Sequence, residues 1–384
     1  MSSRKTFEFL RPAEARTIVG IWAAWSLLTV VLASAAMTLP ATTTNSWIDY
    51  ASAPPLARWD AVWYRSIAVG GYHYDPAVPE NNVGFYPLYA VIAGSVSRLL
   101  HTPLLETGIV LSLLFLGGAL LLIGDLFAEW GGPGMGVLGV AALLLYPTAF
   151  FLAAFYTESL FLLLSAASLW GARRGRWFIA GAAGFAACLT RLNGFLLAPA
   201  MAVSAISARR GAAPGSTFAP GAAILVTLAG AAVYPAYLWR RWGDPLLYVH
   251  SKAAGWAQHP GPVWVLARNV FDDVVGHLRA PGVGGKLMLF AEVASTLLFV
   301  ALTVAVFRRG LIAEGVFVGG TLVLLLFSGT LDGIHRYVLV LFPCFLPLAQ
   351  SLRERPSLAF AYVFGGAGFG MVFLHRFVHW IHVG

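Results

Sequence analysis

Phe85–Leu100, FYPLYAVIAGSVSRLL, is the stretch that decides how this chain is threaded. It is apolar, but it is shorter than the roughly 20 residues a membrane-spanning helix needs, and it carries Tyr86-Pro87 and Arg98. Counted as a span, it would put Arg173, Arg174, Arg176, Arg209 and Arg210 on the outer side, against the positive-inside rule. It is therefore read as a re-entrant or interfacial segment.

The rest of the chain demands such a frame. Of 384 residues 59% are hydrophobic and 11% charged, with a mean hydropathy of +0.75, whereas a soluble domain approaches a quarter charged. The sequence predicts an all-α polytopic membrane protein.

The net charge of +8 resides in short basic knots between apolar runs (Arg173-Arg174, Arg209-Arg210, Arg308-Arg309, Arg353 with Arg355), the pattern of topology determinants and not of nucleic-acid binding. Cys188 and Cys344 each lie inside an apolar run, so neither a disulfide framework nor a thiolate metal site is expected.

At the N-terminus, Arg4, Lys5, Arg11 and Arg16 precede an apolar run from Thr17 to Met37 that is too long for a secretory signal. It reads as an uncleaved first helix, delivering a first outer loop of residues 38–105 with interfacial helices. Further spans are expected at 106–127, 134–153 and 157–171, then two short helices over 177–208, then 217–239. A second outer loop follows over 240–286. The last spans are 287–307, 312–330, 336–350 and 357–377, giving about eleven helices in a single domain, residues 1–384.

With that threading, Asp60, Glu158, Arg191, His250, Lys252, Asp332, His335 and Arg336 all fall on the outer side. Scattered loop charges have no reason to share a face, so one outward-facing site is expected.

Its centre is Arg58-Trp59-Asp60, followed by Trp63, Tyr64 and Arg65. An aromatic wall beside a carboxylate suits a polyhydroxylated ring, and the flanking Arg suits a phosphate. An interfacial helix with its aromatic belt is the plainer alternative. Tyr156-Thr157-Glu158-Ser159 opens a span, where Glu158 either complements the helix N-terminus, holds a sugar hydroxyl or orients Arg191. Arg191 and Asn193 interrupt an apolar stretch, and an Arg there must snorkel, pair or bind something. Ile334-His335-Arg336-Tyr337 begins another span and offers a cation to a lipid phosphate.

Two apparent signatures carry little. Gly134-Met135-Gly136-Val137-Leu138-Gly139 fits a dinucleotide fingerprint but lacks a preceding strand. His375, His379 and His382 have helical spacing but no carboxylates nearby in sequence, so a solvated, frayed helix end is expected there rather than a metal site. The first outer loop has no Asp-x-Asp pair to hold a metal.

In order, Arg58-Trp59-Asp60, Phe85-Tyr86-Pro87-Leu88-Tyr89, Tyr156-Thr157-Glu158-Ser159, Arg191-x-Asn193-Gly194, Gly243-Asp244-Pro245-Leu246 and His335-Arg336-Tyr337 make the chain resemble the PIG-V family of mannosyltransferases. The likeness runs from about Arg58 to Pro347. It implies the GT-C class of membrane glycosyltransferases, a polyprenyl-phosphate sugar donor, an outer active site in a bacterial plasma membrane, and Asp60 as the catalytic residue. Lys252 departs from the Gln expected in relatives.

The expected mechanism is inverting transfer of mannose to a glycolipid or other lipid-linked acceptor. Asp60 acts as general base, and Arg191 and Arg336, then Arg58, His335 and Lys252, face the donor phosphate. Trp59, Trp63 and Tyr64 wall the sugar, with Glu158 and Asn193 near its hydroxyls. No metal or other cofactor is expected, and the partners are the donor, the acceptor and membrane lipids. The alternatives are another polyprenyl-linked sugar, a protein acceptor, or a flippase for a lipid-linked sugar, which would more often show a repeat or broken helices.

Overall fold

The computed structural model describes residues 10–40, 53–209, 218–279 and 283–383; Arg4, Lys5, Arg210 and Thr217 lie outside them. Among the described residues the chain is helical, with no strand. The first half contributes α1 (Pro12–Ala36), α2 (Ala61–Gly70), α3 (Leu88–Leu100), α4 (Leu104–Gly131), α5 (Met135–Leu144), α6 (Glu158–Arg173), α7 (Trp177–Cys188) and α8 (Leu197–Arg209). The second contributes α9 (Phe218–Trp242), α10 (Leu247–Trp256), α11 (Val263–Arg279), α12 (Val283–Arg308), α13 (Ile312–Phe327), α14 (Ile334–Tyr337), α15 (Phe345–Glu354) and α16 (Pro356–Val378).

Five of these, α1, α4, α9, α12 and α16, are long and apolar enough to cross a membrane. They keep large apolar side chains on the outside, among them Leu27, Leu225, Leu297 and Phe360. Water would not tolerate such faces over whole helices, but hydrocarbon does, and the fold is that of a multi-pass membrane protein. The other expected spans fall on shorter or interrupted helices. α3, at 13 residues, reaches only about 20 Å and lies against α2 and α4.

α6 is the axis of the bundle. Leu160, Phe161, Leu162, Ala166 and Leu169 are buried against α4 and α7. Its 16 residues set its two ends about 24 Å apart. At the far end Arg173 pairs with Glu129 and Glu314, each at 3.0 Å, and Arg174 with Asp125. Arg309 joins Gln350 at the adjoining helix ends. Several of the basic knots thus gather at one end, and Glu158 begins α6 at the other.

Two expectations need correction and a third gains detail. The segment 336–350 is not one helix: α14 gives way to 3-10 turns at Val338–Val340 and Phe342–Cys344 before α15. Pro343 and Pro347 remove backbone donors there, and the irregular backbone survives because it is wholly enclosed by protein. The second outer loop, 240–286, is largely helical, holding α10 and α11. The C-terminus is not a frayed end: His379 donates to the Ala36 carbonyl at 2.9 Å and His382 meets Asp332 at 2.8 Å.

Candidate functional site

The site is assembled at the end of the bundle where α2, α6, α10 and α14 begin. Asp60 occupies the position before α2 where an Asp side chain would ordinarily accept from the first-turn N–H groups, yet it makes no such bond. Its Oδ2 instead accepts from Arg336 Nη2 at 2.9 Å. The turn that aims it is pinned by Tyr156, whose hydroxyl accepts from the Asp60 N–H and donates to the Arg58 carbonyl, both at 3.0 Å. Trp59 takes a left-handed φ of 54°, a conformation that costs a large side chain about 1–3 kcal/mol and is held by the surroundings.

Beneath Asp60 lies Glu158, 1% exposed. Its Oε1 is 3.1 Å from Arg191 Nη1 and 3.4 Å from Arg336 Nε. Two carboxylates and two guanidinium groups therefore form one network, neutral in sum. Burying any of these charges alone would cost several kcal/mol, so removal of one partner strands the others. Tyr337 adds its ring face, with the Arg336 guanidinium 4.6 Å and that of Arg191 5.3 Å from its centroid.

Arg191 is brought in by a close approach. It leads into a 3-10 turn, Leu192–Leu196, laid directly on the end of α7, and a Cβ on Gly194 would sit 2.5 Å from the Ala187 backbone carbon. Only glycine fits there.

These groups face a cavity of about 330 Å³, in the size range of small-molecule sites. Asp60, Tyr64, Arg191, Asn193, Lys252 and Arg336 line it, together with Phe85, Tyr86, Tyr248 and Tyr337. Lys252 arrives on α10 with its Nζ 3.8 Å from the centroid of Phe85 and 4.1 Å from that of Trp256. Burial pushes its amine down to about 8, with the Asp60 charge opposing that fall and Arg336 and Arg191 adding to it.

Other expected site residues stand elsewhere. Glu158 lies behind the cavity wall and acts on it through the two arginines. Trp63 backs Phe85, its ring 5.9 Å away at 16°, and is screened from the cavity by it. Trp59 turns away toward Trp380 and His382, at 5.7 and 5.9 Å between ring centroids. Arg58 is buried on that same side, 3.5 Å from the Met37 sulfur and with its guanidinium over Trp380. His335 is likewise turned from the cavity, its Nε2 donating to the Val383 carbonyl at 2.7 Å.

Of the three aromatic residues expected to wall a sugar, Tyr64 keeps its i, i+4 relation to Asp60, its N–H donating to the Asp60 carbonyl at 3.3 Å, and lines the cavity, whereas the left-handed φ of Trp59 takes that ring out of register. The other aromatic walls come from Phe85, Tyr86, Tyr248 and Tyr337. Tyr248 carries no sequence signal of a role.

Among the described residues no group of three or more His, Cys, Asp or Glu lies together that would hold a metal ion. The arrangement offers a fixed, partly open carboxylate, fixed cations and an aromatic lining within one cavity. A comparison with protein-family models and a comparison with curated proteins both find no match for this chain.

Proposed function

We propose that this protein is an inverting GT-C-type glycosyltransferase that moves mannose from a polyprenyl-phosphate donor to a lipid-linked or glycolipid acceptor, at the extracytoplasmic face of a bacterial plasma membrane. The observation that carries the reading is Asp60: its carboxylate is held through Oδ2 by a buried arginine and reaches a cavity that two further cations line.

In this reading Asp60 takes the proton of the acceptor hydroxyl as that oxygen attacks the anomeric carbon, a contribution of about 10²- to 10⁴-fold. The bond from the anomeric carbon to the phosphate oxygen breaks on the opposite face, and its electron pair leaves with the lipid phosphate. The cavity's cations answer the charge that develops there. Tyr86, Tyr248 and Tyr337 offer ring faces to the sugar, and Asn193 offers an amide. Five helices long and apolar enough to cross a membrane, with shorter apolar helices beside them, support a multi-pass setting for this chemistry.

A transport reading has one observation behind it, the broken segment of α14 and the 3-10 turns beside the cavity. The two separate when purified protein, in detergent and reconstituted in liposomes, is given polyprenyl-phosphate sugars labelled in the sugar, with a crude lipid extract as acceptor and a chelator control. Labelled glycolipid formed most efficiently from the mannose donor, with chelator harmless, supports the proposal. Movement of lipid-linked sugar across liposomes without product supports transport instead.

A further inference from the structure

Lys252 is placed unlike the other cations of the cavity. Arg191 is committed to Glu158, and Arg336 to Asp60 and Glu158. Among the described residues Lys252 makes no ion pair with a carboxylate. What holds it is an aromatic box: Phe85 and Trp256 present their rings to Nζ at 3.8 and 4.1 Å, and Trp63 stacks behind Phe85 and stands edge-on to Trp256 at 5.6 Å. The lysine stem crosses Gly84, where a Cβ would meet Lys252 Cε at 3.3 Å, so the approach depends on the small residue. The turn that carries Gly84 and Phe85 is fastened by Tyr72, which donates to the Phe85 carbonyl at 2.6 Å, and by Tyr234, which donates to the Val83 carbonyl at 2.7 Å.

Ring faces attract an ammonium group but do not satisfy its three N–H donors as oxygen acceptors would. The box fixes the cation's position and leaves its charge uncompensated. Asp332, which also lines the cavity, is paired with His382, so Lys252 is the cation of the cavity wall that no carboxylate pairs among the described residues.

We infer that Lys252 is the group that seats the phosphate of a lipid monophosphate or lipid-phosphate sugar, while the two arginines serve chiefly to hold Asp60 and Glu158. The inference rests on the proposed glycosyl transfer for its catalytic meaning. A polyprenyl-phosphate sugar is a phosphodiester with one negative charge. When the anomeric carbon–oxygen bond breaks, the electron pair stays on the phosphate oxygen, the acceptor oxygen forms the new bond to carbon, and the acceptor proton passes to Asp60. The departing phosphomonoester then carries a second negative charge. An uncompensated cation gains more from the second charge than from the first, so Lys252 favours the transition state over the bound donor. The same logic makes the released lipid phosphate a strong product inhibitor.

The test reads binding without turnover. A short-chain polyprenyl monophosphate, and the matching polyprenol lacking phosphate, are titrated against full-length protein in detergent for wild type, Lys252→Gln, Lys252→Arg and Arg191→Gln, with inorganic phosphate as a competing probe. The expected result is at least about tenfold weaker monophosphate binding by Lys252→Gln, near-normal binding by Lys252→Arg, and equal polyprenol binding by all. Competition by inorganic phosphate at millimolar levels assigns the recognition to phosphate alone, and its failure assigns it to phosphate and lipid together; both place the phosphate on Lys252 provided Lys252→Gln abolishes the effect. Unchanged monophosphate binding by Lys252→Gln, or a larger loss in Arg191→Gln, overturns the inference, as does a parallel loss of polyprenol binding. If monophosphate binds through Lys252 but no sugar is transferred from any donor, the glycosyl-transfer reading fails and the phosphate site stands.

Discussion

Arg336 Nη2 donates to Asp60 Oδ2 at 2.9 Å, joining residues 276 positions apart in the chain. The bond closes the two halves of the protein over one cavity, and it joins a guanidinium 4% exposed to a carboxylate that keeps 18% of its side-chain surface. Replacing Arg336 by Gln leaves Asp60 and Glu158 with one compensating cation fewer. Such a loss costs about 3–5 kcal/mol in a buried pair, so the detergent melting temperature falls clearly and transfer falls by at least about a hundredfold. Lys at this position restores charge but not the two-carboxylate reach of the planar group, so Arg336→Lys recovers stability more than activity. Thermal melts and transfer rates on the same preparations check both.

Tyr156 positions the base without entering the cavity. Its hydroxyl bonds the Asp60 N–H and the Arg58 carbonyl, so Tyr156→Phe leaves both without that partner and relaxes the left-handed turn at Trp59. The expected outcome is a fall in kcat of about tenfold or more with little change in the KM for the donor, because the phosphate side of the cavity is untouched. A KM effect equal to the kcat effect would contradict that division of labour.

Lys252 gives donor binding a pH dependence. The groups facing it are Asp60, Arg191, Arg336 and Asp332 around the cavity and Glu80 beside α10, with Tyr248 and His250 on its own helix. Burial is the largest influence and brings the amine to about 8, so the charged form is lost as pH rises through that value. Donor affinity is therefore full in mildly acidic to neutral solution and declines above about pH 8, whereas Lys252→Arg keeps its affinity there. Titrations of affinity for the polyprenyl-phosphate sugar, a diester with no ionisation of its own in this range, against pH for the two proteins check this.

The C-terminal tail has a pH window of its own. The hydrogen bond from His382 to Asp332 raises the imidazole pKa; burial alone would raise the Asp332 carboxyl, but that bond and the neighbouring cations outweigh burial and lower it. The raised His382 contributes fully below its unfolded pKa of about 6.5 and ceases to contribute as pH rises through its folded value. The lowered Asp332 contributes above its unfolded pKa of about 3.9 and is lost as pH falls through its folded value. The tail is thus held best between the two, and loosens above the raised imidazole value. Protease sensitivity or hydrogen exchange of residues 379–383 against pH follows this window in wild type and flattens in His382→Gln.

Much of this site was legible because chemistry in an apolar chain is conspicuous. Asp60, Arg191 and Arg336 stand out from runs of Leu, Ala and Gly, and the threading rule carried them to one end before any contact was known. Side-chain direction was not legible. His335 and Arg336 are neighbours on α14, so their side chains diverge by about 100°, one toward Val383 and the other toward Asp60. Trp59 and Trp63 flank Asp60 in sequence, but the left-handed backbone of Trp59 turns that ring away and the Phe85 ring stands between Trp63 and the cavity. The aromatic box of Lys252 joins residues 85 and 252, a pairing that no local pattern encodes. Pro343 and Pro347 sit in an apolar run whose average conceals them, which is why the break after α14 had no hydropathy signal.

The most direct measurement of the central claim is transfer of labelled mannose from polyprenyl-phosphate mannose by Asp60→Asn beside wild type, with the variant first shown to be folded at the assay temperature and to bind polyprenyl monophosphate. The amide keeps the size of Asp60 and removes its ability to take a proton. A loss of at least about a hundredfold in rate with donor binding intact is the predicted result. Transfer within a few-fold of wild type would contradict the account and leave Asp60 as a structural partner of Arg336.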